Sequence, residues 1–171
     1  MVVLVKGINV GGHRTIRPTE LTKRLRRFDV VSIGAAGTFI IRARATRTEV
    51  LSALTRHLPF SAQVMICSRQ EILRLASEDP YSGEPGGPAW VQFVSVLARR
   101  PRVSIELTML VPDGVDWGVK VIAVRDRFVI GVHRRQMKAI GQLAQVERHL
   151  GSPMTTRSWS TMQRVARLLE A

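Results

Sequence analysis

Apolar positions along the chain recur at two periods, and their alternation predicts a mixed α and β protein. Val2 to Val5 is an uninterrupted apolar run, short enough for a buried strand. After a glycine loop, Pro18 suits the first turn of a helix, where its missing N–H costs nothing. Leu21, Leu25 and Phe28 then recur at helical spacing, with Lys23, Arg24, Arg26 and Arg27 mostly off that stripe. Val30 to Ile33 and Thr38 to Ile41 are β-branched runs around Gly34-Ala35-Ala36-Gly37, which predicts a hairpin. Thr46 followed by Glu49 is a capping box that opens a helix with Val50, Leu51, Leu54 and Leu58 on one face. Gln63 to Cys67 reads as a strand. The order strand, helix, strand, strand, helix, strand predicts a ferredoxin-like βαββαβ half.

Ser68 and Glu71 form a second capping box, so a short helix is expected through Ile72 and Leu75. Asp79 to Pro88 then breaks every period with three prolines and three glycines. The expected organisation is a ferredoxin-like subdomain over 1–78, a connecting loop over 79–89, and a second α+β subdomain over 90–171 packed with the first as one unit. In the second half, Trp90 to Leu97 reads as a strand. Val119 to Val124 and Phe128 to Val132 form a hairpin turning at Arg125-Asp126-Arg127. Ile140, Leu143, Val146 and Leu150 mark a helix that Gly151 and Pro153 terminate. A last helix follows Ser158, which completes a C-terminal helix pair. Around Ile105 to Val111 strand and helix both stay open. No tandem repeat stands out, although the halves could share a coarse pattern.

Charge changes the picture next. The 171 residues hold 26 Lys and Arg against 13 Asp and Glu, a formal charge of +13. The excess is even along the chain, which points to basic faces on folded elements rather than a detachable tail. Such a field attracts phosphates, nucleic acid or another polyanion. Only Lys6, Lys23, Lys120 and Lys138 are lysines. Codon usage explains arginine replacing lysine better than it explains a twofold excess over acids. Apolar residues are 45% of the chain, enough for a globular interior. Cys67 is the single cysteine, which excludes an intramolecular disulfide, and its apolar run makes it a small buried hydrophobe. No signal peptide or membrane span is expected, and the cytoplasm is the expected compartment.

Two segments carry candidate chemistry. Gly7-Ile8-Asn9-Val10-Gly11-Gly12-His13 lies between a strand and a helix, where backbone N–H groups can form an anion-binding nest. Lys6 precedes it, and His13, Arg14 and Arg17 follow. The segment is neither a Walker loop nor a dinucleotide fingerprint, and a tight turn needing glycine is the more economical reading of it. The second segment is Thr155-Thr156-Arg157-Ser158-Trp159-Ser160-Thr161. On the helix that follows, Trp159, Met162, Val165, Ala166 and Leu169 share one face, and Arg157, Arg164 and Arg167 are expected on the opposite, solvated one. Ser158 is a natural N-cap, with Ser160 and Thr161 in the first turn. The candidate anion-binding set is Lys6, Asn9, Gly11, Gly12, His13, Arg14, Arg157, Ser158, Ser160 and Thr161.

On Lys6-Gly7-Ile8-Asn9-Val10-Gly11-Gly12 and Thr155 to Thr161, the chain resembles the bacterial family catalogued as domain of unknown function 1697. Members open with Arg-Gly-Ile-Asn-Val-Gly-Gly and close with Thr-Thr-Arg-Asn-Trp-Asn-Thr. The resemblance implies an α+β protein with a ferredoxin-like half, and it implies no established activity. Ala35-Ala36-Gly37-Thr38 stands where members show Gln-Ser-Gly-Asn, and Ser158 and Ser160 replace both asparagines. A polar site in relatives would be reduced here.

Catalytic sets do not assemble in the sequence. His13, His57, His133 and His149 lack metal spacing, and no nucleophile elbow appears. Asp113 and Asp116 suit a turn. Neither a metal nor a cofactor is expected. The reading these features support is a non-enzymatic basic binding protein for nucleic acid or a phosphorylated metabolite. The alternative is a small-molecule enzyme with its site between the Gly7–Gly12 loop and the Arg157–Thr161 segment. Oligomeric state is not legible.

Overall fold

The structure is a computed structural model that describes residues 1–8, 15–101 and 108–171. Among the described residues it has two antiparallel sheets and five α-helices, a mixed α and β architecture. The chain divides into two compact units, one of Met1–Leu75 with Val165–Ala171 and one of Ala76–Arg164.

In the first unit, β1 (Val2–Val5) is buried at all four positions, as an apolar run without alternation requires. α1 (Pro18–Arg24) starts on its proline and stops early, and Arg26–Phe28 continue as a 3-10 turn. Leu21, Leu25 and Phe28 are nonetheless all buried, so the stripe survives the change of helix type. β2 (Val30–Ile33) and β3 (Thr38–Ile41) form the expected hairpin. It turns through Gly34 and Gly37 at φ 64° and 73°. A Cβ on Gly37 would also stand 3.2 Å from both Val5 O and Ile8 Cβ, so this position requires glycine on two counts.

α2 (Arg47–His57) opens on its capping box. Thr46 Oγ1 accepts from the Glu49 N–H at 3.2 Å, and Glu49 Oε2 accepts from the Thr46 N–H at 2.7 Å. Leu51 departs from expectation and is 45% exposed. Val50, Ala53 and Leu54 fill the buried stripe instead, which leaves the intervening leucine on the outer flank. β4 (Val64–Cys67) starts one residue later than expected and completes a sheet in the order β2-β3-β1-β4. One core of this unit gathers Val3, Val5, Leu21, Phe39 and Leu54 with their neighbours. The Ser68–Glu71 box caps α3 (Arg69–Ala76), with Ile72 and Leu75 buried.

Asp79 to Pro88 forms neither helix nor strand, as expected. β5 (Trp90–Leu97), β6 (Met109–Val111), β7 (Val119–Arg125) and β8 (Phe128–Arg134) follow. The β7–β8 turn holds Asp126 at φ 54°. Of the segment that left strand and helix open, residues 102–107 lie outside the described residues, and Met109–Val111 is strand. α4 (Lys138–Leu150) ends at Gly151 with φ 60°, the left-handed conformation that glycine adopts freely. Ile140, expected on its inner face, is 60% exposed, and Ala139, Val146 and Leu150 line that face. β9 (Met154–Ser158) is a strand where the sequence suggested only a Ser/Thr-rich approach to the last helix, α5 (Trp159–Glu170).

The second sheet runs β6-β7-β8-β5-β9. With edge strand β6 set aside, its order by appearance is second, third, first, fourth, and the first sheet has that same order. In both units the fourth strand leads directly into a helix capped by a serine, Ser68 or Ser158. The two units thus repeat one strand order with no repeat in sequence.

Candidate functional site

The two sequence segments fare differently. In the first, β1 ends with the Lys6 N–H donating to Gln63 O at 2.9 Å. Gly7 then takes φ 71°, and Ile8 is 1% exposed. The chain therefore leaves β1 through a glycine turn anchored by a buried isoleucine. Asn9, Gly11, Gly12, His13 and Arg14, expected to supply the anion nest, lie outside the described residues.

In the second segment, β9 pairs with β5, placing Thr156 opposite Ser95, Arg157 opposite Val94 and Ser158 opposite Phe93. The Ser95 and Thr156 hydroxyls meet at 2.6 Å. Ser158 caps α5 as expected: its Oγ accepts from the Thr161 N–H at 3.3 Å and lies 2.9 Å from Thr161 Oγ1 and 3.1 Å from Ser160 Oγ. Arg157 corrects the expectation of a continuous solvated arginine face. It belongs to the strand, not the helix, and is 8% exposed, whereas Arg164 and Arg167 are exposed on α5. Its guanidinium donates to Thr155 Oγ1 at 2.8 Å and to Thr156 O at 2.7 Å. Burial lowers its pKa to about 10, which leaves it a cation at neutral pH. The helix face of Trp159, Met162, Val165, Ala166 and Leu169 is buried throughout.

Beside Trp159 lies a recess of about 440 Å³, lined also by Ser77, Glu78, Asp79, Gln92 and Gln163. Its charged lining, Glu78 and Asp79, is acidic and disfavours an anion there. Among the described residues, no group of three His, Cys, Asp or Glu side chains is placed to hold a metal ion. None of the described helices is long and apolar enough to cross a membrane.

Exposed basic residues also occur on stretches that sequence order only half connected. Lys23, Arg24, Arg26 and Arg27 are exposed on α1 and the 3-10 turn. Arg24 Nη1 donates to His57 O at 3.3 Å, which brings the C-terminal end of α2, with exposed Arg56, beside that of α1. The Arg42 N–H donates to Asp29 O and the Ala43 N–H to Phe28 O, both at 3.1 Å, so exposed Arg42 and Arg44 follow the 3-10 turn. Arg27 lies over the Phe28 ring at 4.4 Å from its centroid. Hydrogen bonds from the Thr46 backbone and hydroxyl hold the Glu49 carboxyl below its ordinary range, with a smaller contribution from Arg27. Seven exposed cations are thus carried by three stretches of sequence that hydrogen bonds tie together, with Glu20, Asp29 and Glu49 on the same stretches. Sequence reasoning recognised the Lys23–Arg27 run. It missed Arg42, Arg44 and Arg56, which join through backbone contacts with no periodic signature.

No curated protein matches the chain in sequence. Its fold is similar to that of a conserved bacterial protein from Streptococcus pneumoniae, over 98% of this chain and 97% of that one, at 18% identity and a TM-score of 0.58. The family described as protein of unknown function (DUF1697) matches residues 1–105, and the chain, more than half of which is covered, belongs to that family.

Proposed function

We propose that the chain is a basic binding protein for an anionic partner, nucleic acid or a phosphate-containing ligand, with no catalytic chemistry of its own. The observation that carries this reading is that exposed Lys23, Arg24, Arg26, Arg27, Arg42, Arg44 and Arg56 sit on three stretches of the first unit that hydrogen bonds tie together. Codon usage accounts for arginine in place of lysine. It gives no reason for cations from α1, the end of β3 and α2 to converge. The strand order β2-β3-β1-β4 supports reading this unit as the ferredoxin-like half. The buried Cys67, which is in no disulfide, supports a reducing, cytoplasmic setting. The glycine loop, with Lys6 at its start, and the hydroxyls of Ser158, Ser160 and Thr161 are the further anion contacts of this reading.

The test is binding of labelled duplex and single-stranded nucleic acid and of inorganic phosphate across a salt series. Each lost phosphate contact lowers the slope of log affinity against log salt by about one. A combined Arg24→Glu, Arg26→Glu and Arg27→Glu variant is expected to lower the slope by about two to three and to weaken low-salt binding at least tenfold. Wild-type binding that ignores salt, or a variant that binds like wild type, overturns the reading.

A further inference from the structure

We propose that the end of the second sheet where β5 begins and β8 ends is a stacking platform for the bases of single-stranded nucleic acid. The proposal rests on the anionic-partner reading and selects one class of partner within it. Its core is three planar groups. The Trp90 and Trp117 rings lie 4.9 Å apart at 39°, and the Arg134 guanidinium carbon lies 5.3 Å from the Trp90 centroid. Trp90 therefore contacts both a second indole and a guanidinium. Residues 27 positions apart in sequence meet here because Trp90 is directly opposite Arg134 in the β5–β8 pair, while Trp117 lies two residues before the start of β7.

The three groups are fixed in advance of any ligand. Arg134 Nε donates to Trp117 O at 3.0 Å and the Arg134 N–H to Gly118 O at 2.8 Å, tying the turn to β8. The Gly118 N–H donates to Val111 O at 2.9 Å, which closes that turn. On the other flank the Trp90 N–H donates to Gly87 O at 3.2 Å, and Arg135 Nε to Pro88 O at 3.0 Å. Arg134, held through its side chain, loses little rotamer freedom when a base settles on the platform.

Exposure separates this pair from the third tryptophan. Trp159 is 6% exposed, whereas Trp90 and Trp117 are both half-buried and Arg134 is exposed. Indole and guanidinium planes both stack on bases, and every base offers a face to them. A duplex keeps those faces inside its own stack, so a single strand is the form the platform fits. Arg135 and Lys138 are exposed next to Arg134 and can meet phosphates. Asp113 and Asp116 are exposed in the turn that carries Trp117, so the backbone of a bound strand is expected on the Arg134–Lys138 side.

The experiment follows tryptophan fluorescence and anisotropy of the full chain with a labelled oligothymidine of about 12 nucleotides, a length within the usual single-strand site range, and with a hairpin duplex. Quenching by the single strand is expected, with affinity about tenfold above that for the duplex. Trp117→Ala is expected to weaken single-strand binding about tenfold and to leave duplex binding unchanged. Trp117→Phe, which keeps a stacking ring, retains most of the affinity, and Arg134→Met behaves like Trp117→Ala; these two decide if Trp117→Ala fails to fold. Equal affinity for both forms, with platform variants unchanged while Arg24→Glu, Arg26→Glu and Arg27→Glu still weaken binding, overturns the platform and leaves the charge reading standing. No nucleic-acid binding at low salt overturns the platform whatever inorganic phosphate does, and phosphate binding then decides the charge reading separately.

Discussion

The Phe93 ring fills the space where a Cβ on Gly131 would stand: that atom would lie 2.7 Å from Phe93 Cζ and would also collide with Lys120 O. The two residues face each other across the β5–β8 pair. Phe93 is fully buried among Val119, Val121 and Val146, so neither it nor the backbone of β7 has space to retreat. Gly131→Ala is therefore expected to destabilise the second unit by about 1–3 kcal/mol, the usual cost of overpacking a full core. Urea unfolding checks this, and an unchanged midpoint would show that the ring moves aside freely. Gly118 is a useful contrast. The three atoms nearest a Cβ there all belong to the terminal amide of Gln142, the far end of a flexible side chain. Gly118→Ala is accordingly the milder change. Glycines look alike in a sequence, and only the neighbours seen across the sheet separate these two.

Helix ends are where elements were most legible, and their energetics can be tested directly. The Thr46–Glu49 box is a local pattern whose partners lie three residues apart, so it forms wherever the helix forms. Thr46→Ala is expected to cost about 1 kcal/mol at neutral pH, read from the urea midpoint. The pH dependence has a definite sign. Glu49 has a lowered pKa in the folded chain, from an ordinary value of 4.5. Its contribution is present above that ordinary value and fades as pH falls through the lowered one. The gap between wild type and Thr46→Ala should narrow in acid, and a gap that widens would sink the capping account. The strands β1, β2, β3, β5, β7 and β8 were equally legible, because apolar runs and turn glycines are local signals. β9 was not. Its Thr155-Thr156-Arg157 run is polar, and it is a strand because β5 offers an edge to pair with. The same blindness affected the site. Arg157 reads as surface beside Arg164 and Arg167 on a helical projection, yet the helix starts after it and the strand buries it. Trp90 and Trp117 meet only through the register of β5 and β8 and the turn before β7, information that no single segment carries.

At the scale of the whole molecule, 26 basic side chains stand against 13 acidic ones. Among the described residues, ion pairs engage Arg47 with Glu71, Arg100 with Asp126, Lys120 with Glu84, and Arg125 with Glu78. Of these only the Lys120–Glu84 pair, at 2.7 Å, is substantially shielded from water on both sides. Exposed pairs contribute little, at most about 1 kcal/mol each. The net charge of +13 repels itself more in the folded chain than in the expanded unfolded one, a self-repulsion that opposes compactness. Salt shortens the range of that repulsion, from about 30 Å at 0.01 M to about 8 Å at 0.15 M. The melting temperature is therefore expected to rise by several degrees between about 0.01 M and 0.15 M sodium chloride, the range over which this screening changes most. Scanning calorimetry on the unliganded chain gives the answer. A melting temperature that falls over this range would mean that attractive pairs outweigh repulsion and that the cations are effectively neutralised in place. The surface would then have little charge left to offer a partner. A rise, by contrast, is the expected counterpart of binding: a polyanion that supplies the missing negative charge should stabilise the fold most at low salt, where screening does least.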